Sequence, residues 1–386
     1  MTALVRINKD AIKLGEPLPF SIYDANGTLL LKAGFVINVS RHLDHLAEEG
    51  YFSSEEVEQK NTSTPQARAR YDLPPRAEAQ STFETVDLVK VRLSRVFDNY
   101  KGGKLHEEFV KKIEYLATEV QEACTHDTDA ALANLHLDYS SNYAVVHHLL
   151  AAILCELIGK KLGVKDESRL VLIKAALTHD MGILDIQDGL ERQSAPLRAD
   201  QKERIHAHPD DGVEILRKLG VDNPIWLDAV RSHHERLDGS GYPRNLKDDQ
   251  VTTATRILAV ADIYSAMVRD RPYRKAMVSK DAMRQLLVAE GRKTDLRLIQ
   301  MMIKEIGVFP PGTIVRLANG ETGVVKQRQE NSAHPIVCSF LRPCGVPMLN
   351  PVRRETTKDE FNIDGIMPFS NFTGSIALIR RLWTRD

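Results

Sequence analysis

Three textures of apolar and polar positions follow one another along the chain. Up to about residue 55, short alternating runs such as PLPFSIYD and TLLLKAGFVI flank the turn signal DANG, which predicts a small β-containing module with a hairpin. The patch RHLDHLAEEG ends in glycine and predicts a helix closing that module. Residues 56–80 are polar and proline-bearing, too poor in apolar side chains to bury themselves, and read as a linker. From residue 81 apolar positions recur every three to four residues, as in FETVDLVKVRLSRVFDNY and EEFVKKIEYLATEVQEA, and this rhythm persists to about Gly307. It predicts a helical connecting region over 81–136 and a helical domain over 137–306. Ser279 is placed to cap SKDAMRQLLVAEG, which Gly291 closes, and TDLRLIQMMIKEIG begins after Thr294 and stops at Gly307. Beyond it, the β-branched residues and N-G turn of FPPGTIVRLANGETGVV predict a β-rich extension over 307–386.

Composition narrows the partners. A chain of 386 residues exceeds the usual span of one core, so two or three domains are expected. With 52 Lys and Arg against 53 Asp and Glu, no global field draws it to a nucleic acid polymer or an acidic membrane. Any anion must be met locally. Cys124, Cys155, Cys338 and Cys344 show no CxxC pairing, which fits reduced thiols. The start, MTALVRINKDAIKLGEP, has no long apolar run, so the expectation is a cytoplasmic protein with no membrane span.

The chemistry gathers in the helical middle, where seven of the thirteen histidines (His147, His148, His179, His206, His208, His233 and His234) fall between residues 147 and 234. One candidate from each cluster gives His147, His179 with Asp180, His208, His233 with His234, and Asp262, separated by 32, 28, 25 and 28 residues. Each interval fits one helix and a loop, so returning helices can bring these side chains together. His147 lies in the almost wholly apolar NYAVVHHLLAAILCELIGKKLG and Asp262 inside TRILAVADIYSAM, where a lone imidazole or carboxylate needs a partner. A divalent cation would supply the missing charge. Taken singly, each residue has a plainer reading: His147 or His208 as a satisfied core or helix-end histidine, Asp262 as an ion pair with Arg256 or Arg269. His148 and His206 are assigned that plainer role. The second THD, Thr125 to Asp127, sits in polar surroundings and reads as solvated surface.

Five histidines and two aspartates without cysteine form a nitrogen and oxygen donor set suited to iron, manganese or zinc. Seven ligands are too many for one ion, and two divalent ions sharing Asp180 as a bridge would use them. Such a pair, about 3.5 to 4 Å apart, activates water and clamps the oxygens of a displacement at phosphorus. Phosphoester hydrolysis follows. In SAMVRDRPYRKAM, Arg271 and Arg274 can form a phosphate fork, though an ordinary exposed basic turn remains an open reading.

HDMG at 179–182, HP at 208–209, HHERLDGSGYP at 233–243, AD at 261–262 and RPYR at 271–274 together resemble the HD-GYP family, bacterial phosphodiesterases of cyclic di-GMP. The resemblance covers residues 140 to 307 and implies a mainly α fold: an HD-type helical bundle catalytic domain, here with a small β-containing N-terminal module and a β-rich C-terminal tail. It implies His147, His179, Asp180, His208, His233, His234 and Asp262 as metal ligands, with His179 and Asp180 central to catalysis, and Arg271 and Arg274 as contacts to the dinucleotide phosphates. Gly241, Tyr242 and Pro243 match the signature loop, which in the family borders the site and is implicated in contacts with diguanylate cyclase (GGDEF) partners. A homodimer is compatible with it. Two positions depart from the pattern: Ile183 stands where the family's HDIGK motif has lysine, and Tyr143 stands where some members place a glutamate for a third metal. The expected activity is opening of cyclic di-GMP to pGpG, with hydrolysis either stopping there or continuing to GMP. The alternative is a weakened module that binds the dinucleotide or a protein partner without turnover.

Overall fold

In the computed structural model, residues 81–384 are described apart from 105–107, 139, 270–276, 292, 369–370 and 373–374, and four short strands are described before them. The chain divides into two compact units, Met1–Ala77 and Glu78–Asp386. In the first, β1 (Leu4–Arg6), β2 (Ile22–Tyr23), β3 (Leu29–Leu31) and β4 (Tyr51–Ser53) form an antiparallel sheet in the order β1-β4-β2-β3. β2 and β3 pair across DANG, the hairpin that the alternation predicts. The helix predicted over RHLDHLAEEG and the linker over 56–80 lie outside the described residues.

The second unit begins with α1 (Thr82–Lys101), nucleated by a capping box in which Ser81 and Glu84 exchange hydrogen bonds. α2 (Phe109–His136) kinks at Asp127, whose carboxylate accepts the Ala130 N–H at 2.9 Å and so restarts the helix. Thr125, His126 and Asp127 are exposed, as the polar surroundings of the second THD predict. α3 (Tyr143–Lys161) is apolar on nearly every side and is the central helix, surrounded by α1, α2, α4 (Asp166–Ala176) and α8 (Thr253–Met267). It has the length and apolarity of a membrane span, but it lies almost wholly inside the core. α5 (Leu184–Arg192), α6 (Ala199–Lys218), α7 (Pro224–Ser232), α9 (Ser279–Gln285) and α10 (Leu296–Ile306) complete the helices of residues 137–306. One hydrophobic core runs through these helices and through α1 and α2, so residues 81–136 contribute to the same packing as 137–306.

Helix ends correct one expectation. Ser279 is the first helical residue of α9 and is buried rather than capping it. The helix passes into a π-helical turn at Leu286–Glu290 before Gly291. Asp295, next to the predicted start after Thr294, caps α10 through the N–H groups of Arg297 and Leu298.

The C-terminal strands β5 (Ile314–Leu317), β6 (Thr322–Gln327), β7 (Ile336–Leu341), β8 (Pro347–Glu355) and β9 (Ile363–Ile366) form an antiparallel sheet in the order β8-β7-β6-β5-β9. Asn319 and Gly320 turn β5 into β6, with Gly320 at φ 85°. A final helix, α11 (Ile376–Thr384), adds a helical element to the predicted β-rich tail. Trp383 stacks on Phe83 at 5.7 Å, so sheet and helix pack on α1 and α2.

Candidate metal centre

Local chain breaks aim the imidazoles. In α6, Pro209 has no N–H, so the Ile205 carbonyl four residues earlier is left without its helical partner, and His208 Nδ1 donates to it at 2.5 Å. His179 follows the end of α4 and donates from Nδ1 to the Ala176 carbonyl at 2.8 Å; His233, at the end of α7, does the same to Val230 at 2.6 Å. A carbonyl only accepts. The three Nδ1 atoms therefore carry the protons, and in the neutral rings each Nε2 presents a lone pair. Gly182 brings two of these elements together: a Cβ there would lie 2.2 Å from the His208 carbonyl oxygen, so only glycine lets the HDMG turn rest against α6.

The Nε2 atoms converge with two carboxylates. His147 Nε2 is 3.2 Å from His179 Nε2 and 3.1 Å from Asp262 Oδ1. His208 Nε2 is 3.2 Å from His233 Nε2. Asp180 divides its oxygens between the groups: Oδ2 is 3.7 Å from His147 and 3.6 Å from His179, while Oδ1 is 3.2 Å from His208 and 3.6 Å from His233. Asp262 also reaches His234 Nδ1 through Oδ2 at 3.8 Å. Among the described residues the donors fall into two main clusters, His147, His179 and Asp262 in one and Asp180, His208, His233 and His234 in the other, with a third, overlapping group of His148, His179 and Asp180. All seven sequence-predicted candidates meet here. Arg256 instead pairs with Asp295 and Arg269 binds the Asp138 carbonyl, so neither alternative partner takes Asp262.

This donor set fits divalent cations. His208 and His233 face one another through Nε2 at 3.2 Å with both Nδ1 atoms committed to carbonyls, and facing lone pairs repel unless positive charge lies between them. Burial would raise the pKa of Asp180 and Asp262, but the surrounding histidines outweigh it and hold both carboxylates well below their usual range. Burial would likewise lower His179, yet Asp180 and Asp262 hold it up at about 9. His233 and His234 are depressed by burial. The site thus keeps two anionic carboxylates among imidazoles.

Surrounding residues fix the frame. Asp138 accepts from the Ser140 and Ser141 N–H groups at 3.0 and 2.9 Å and pairs with Lys90, tying α1 to the turn that leads into α3 and His147. His148, assigned a plain core role by the sequence reading, donates from Nδ1 to Ala144 at 2.6 Å and accepts the Asp180 N–H at Nε2, 3.4 Å away. It thereby steadies the bridging aspartate. His206 stacks on Tyr242 at 4.4 Å. Spacing beside a candidate ligand was the only sequence signal for either role.

The signature loop is held in place. Glu235, buried, accepts the N–H groups of Arg244 at 2.7 Å and Leu246 at 2.9 Å, a clamp the sequence reading did not identify. Gly241 passes so close that a Cβ would lie 2.3 Å from the Arg236 nitrogen. Tyr242 packs at 4.7 Å from the His234 ring, and burial followed by Asp262 and Asp180 pushes its hydroxyl well above the ordinary value. Above the clusters opens a cleft of about 400 Å³ whose lining includes Tyr143, Ile183, Gln187, Arg236, Tyr242 and Ile263. Ile183, 7% exposed, lines it, and Tyr143 stacks on His147 at 5.3 Å. Gly241 is buried beneath the loop. Arg271 and Arg274 lie outside the described residues.

A family model described as an HD domain matches residues 127–298. The chain is 28% identical to a cyclic di-GMP phosphodiesterase of Pseudomonas aeruginosa over 217 residues, 56% of this chain and 52% of that protein. It is 36% identical over 141 residues to a 3'3'-cGAMP-specific phosphodiesterase of Vibrio cholerae, covering 36% of this chain and 30% of the other. The chain spans about half the length of the first curated relatives it matches. A solved structure described as an HDG"Y"P protein from Bdellovibrio bacteriovorus superposes with a TM-score of 0.51 at 17% identity, over 78% of this chain and 98% of that one. That likeness is one of fold.

Proposed function

From the premise that this chain is an HD-GYP family protein, we propose that it is a metal-dependent phosphodiesterase that hydrolyses cyclic di-GMP to pGpG, or further to GMP, in bacterial signalling. The observation that carries this reading is Asp180, whose two oxygens face two separate histidine clusters beneath one cleft. The chemistry is that of a bridged pair, and relatives named as cyclic dinucleotide phosphodiesterases support the substrate class.

The ligands proposed are His147, His179, Asp180 and Asp262 for one ion, and Asp180, His208, His233 and His234 for the other. Iron or manganese suits this nitrogen-rich set, and zinc also fits it. Bound divalent ions would supply Lewis-acid charge at the phosphoryl oxygens and ease deprotonation of water. The protein's own part is to fix geometry: backbone carbonyls lock three imidazole tautomers, His148 holds the Asp180 backbone, and Tyr242 closes one side of the cleft. His179 and Asp180 stand at the junction of the clusters and form the catalytic centre in this reading. Arg271 and Arg274 are proposed to contact phosphate, with Gly241, Tyr242 and Pro243 forming the substrate rim. The same loop is the proposed contact for a diguanylate cyclase (GGDEF) partner, in a cytoplasmic setting.

Ile183 favours one alternative, a module that binds the dinucleotide or a protein without turnover, because the cleft lacks a lysine at that wall. The deciding experiment is hydrolysis of cyclic di-GMP by the full chain reconstituted anaerobically with Fe(II) or Mn(II). Production of pGpG supports the enzyme. No turnover with both sites occupied would leave the binding module.

A further inference from the structure

The cleft has a charge deficit on one wall. A cyclic dinucleotide carries two phosphodiesters, and only one can lie over the metal clusters at a time. The other needs positive charge from the protein. Apart from the candidate ligands the lining is largely apolar, with Ile183, Leu190, Leu197, Ile205 and Ile263, and Gln187 and the Glu191 carboxylate bring no positive charge to it. Among the described lining residues, Arg236 is the one permanently charged cation.

Arg236 is also built to stay where it is. Its backbone follows the buried Glu235 that clamps the loop, and its nitrogen lies directly beneath Gly241. Its Nη1 is 3.3 Å from Glu290 Oε2, at the end of the π-helical turn, and both side chains are largely buried. Among the described residues no hydrogen bond takes Nε or Nη2. A guanidinium held at one nitrogen by a carboxylate keeps its remaining donors for a second anion, and a planar fork suits a phosphodiester.

We infer that Arg236, oriented by Glu290, binds the dinucleotide phosphate not undergoing cleavage, adding positive charge to a cleft where Ile183 offers none. This rests on the cyclic dinucleotide reading above and adds a specificity residue to it. The role belongs to substrate binding, so it distinguishes substrates with two phosphodiesters from those with one.

The test compares the metal-loaded full chain with its Arg236→Ala and Arg236→Lys variants on two substrates, cyclic di-GMP and bis(p-nitrophenyl) phosphate, which has a single diester. Arg236→Ala is expected to raise KM for cyclic di-GMP by about ten- to hundredfold, with kcat changed by less than about threefold. The same variant is expected to keep its kcat/KM on the small diester within about threefold. Arg236→Lys should lie between, because it keeps the charge and loses the fork. Equilibrium binding of a phosphorothioate analogue of cyclic di-GMP should weaken in parallel with KM. An unchanged KM and analogue affinity in Arg236→Ala overturns the inference, and so does an equal loss on both substrates, which marks a structural role. Wild-type protein that cleaves the small diester but neither binds nor cleaves a cyclic dinucleotide overturns the functional reading itself.

Discussion

At the residue scale, the site is decided by where each ring nitrogen finds a carbonyl. His179, His208 and His233 each bond a carbonyl three residues earlier, freed by a helix end or by Pro209. The HP dipeptide is thus legible as chemistry: proline removes a donor, and the histidine beside it takes the acceptor. Asp180 carries the largest prediction. Asp180→Asn keeps the shape but loses the charge shared by both clusters, so metal content by mass spectrometry should fall below two ions per chain and turnover by about a thousandfold or more. Ile183→Lys tests the departure from the family pattern. The lysine stem can lie along the apolar wall with its ammonium in the cleft, and KM for cyclic di-GMP should fall by up to about tenfold.

At the element scale, the segment SHHERLDGSGYP joins the end of α7 to a loop that looks breakable in sequence. In the fold it is clamped from within: Glu235 takes two loop N–H groups, and Asp228 binds Arg244 at 2.8 Å. Glu235→Ala would leave two partly buried N–H groups without their acceptor, an expected loss of about 2 to 4 kcal/mol in local loop stability. Faster hydrogen exchange at the Arg244 and Leu246 amides would register it, and unchanged exchange would contradict it. The loop's glycines and proline announce a turn to any reader of the sequence. Its rigidity does not show there, because it depends on a carboxylate nine residues from one partner and eleven from the other.

At the scale of the whole molecule, the C-terminal sheet is fastened to the helical core partly through one histidine. His136, in the last turn of α2, hydrogen-bonds the Pro311 carbonyl at 3.0 Å, and burial holds its pKa down at about 4. The folded form resists the proton that the unfolded chain binds near its ordinary value of 6.5. Stability from this group is therefore full above 6.5 and is lost as pH falls toward 4, by up to about 3 kcal/mol. Denaturant titrations between pH 7 and 4 should show this slope in the wild type, and a flatter one in His136→Gln. His148, His233 and His234 are depressed by burial too, but they act in both proteins and leave the difference to His136.

The sequence alone determined the order of textures, β then α then β, because side-chain periodicity is local and survives without knowledge of the fold. It determined the seven candidate ligands as well, since buried imidazoles and carboxylates in apolar helices need a common partner and recur at one helix-and-loop spacing. Only the tertiary structure decided that Asp180 splits its oxygens between two clusters, that His148 supports it, that Ser279 is buried rather than capping, and that α1 and α2 share the core of the helices after them. Those outcomes depend on ångström-scale approach of segments far apart in the chain, and a one-dimensional pattern records which residues must find partners without recording which partners they find.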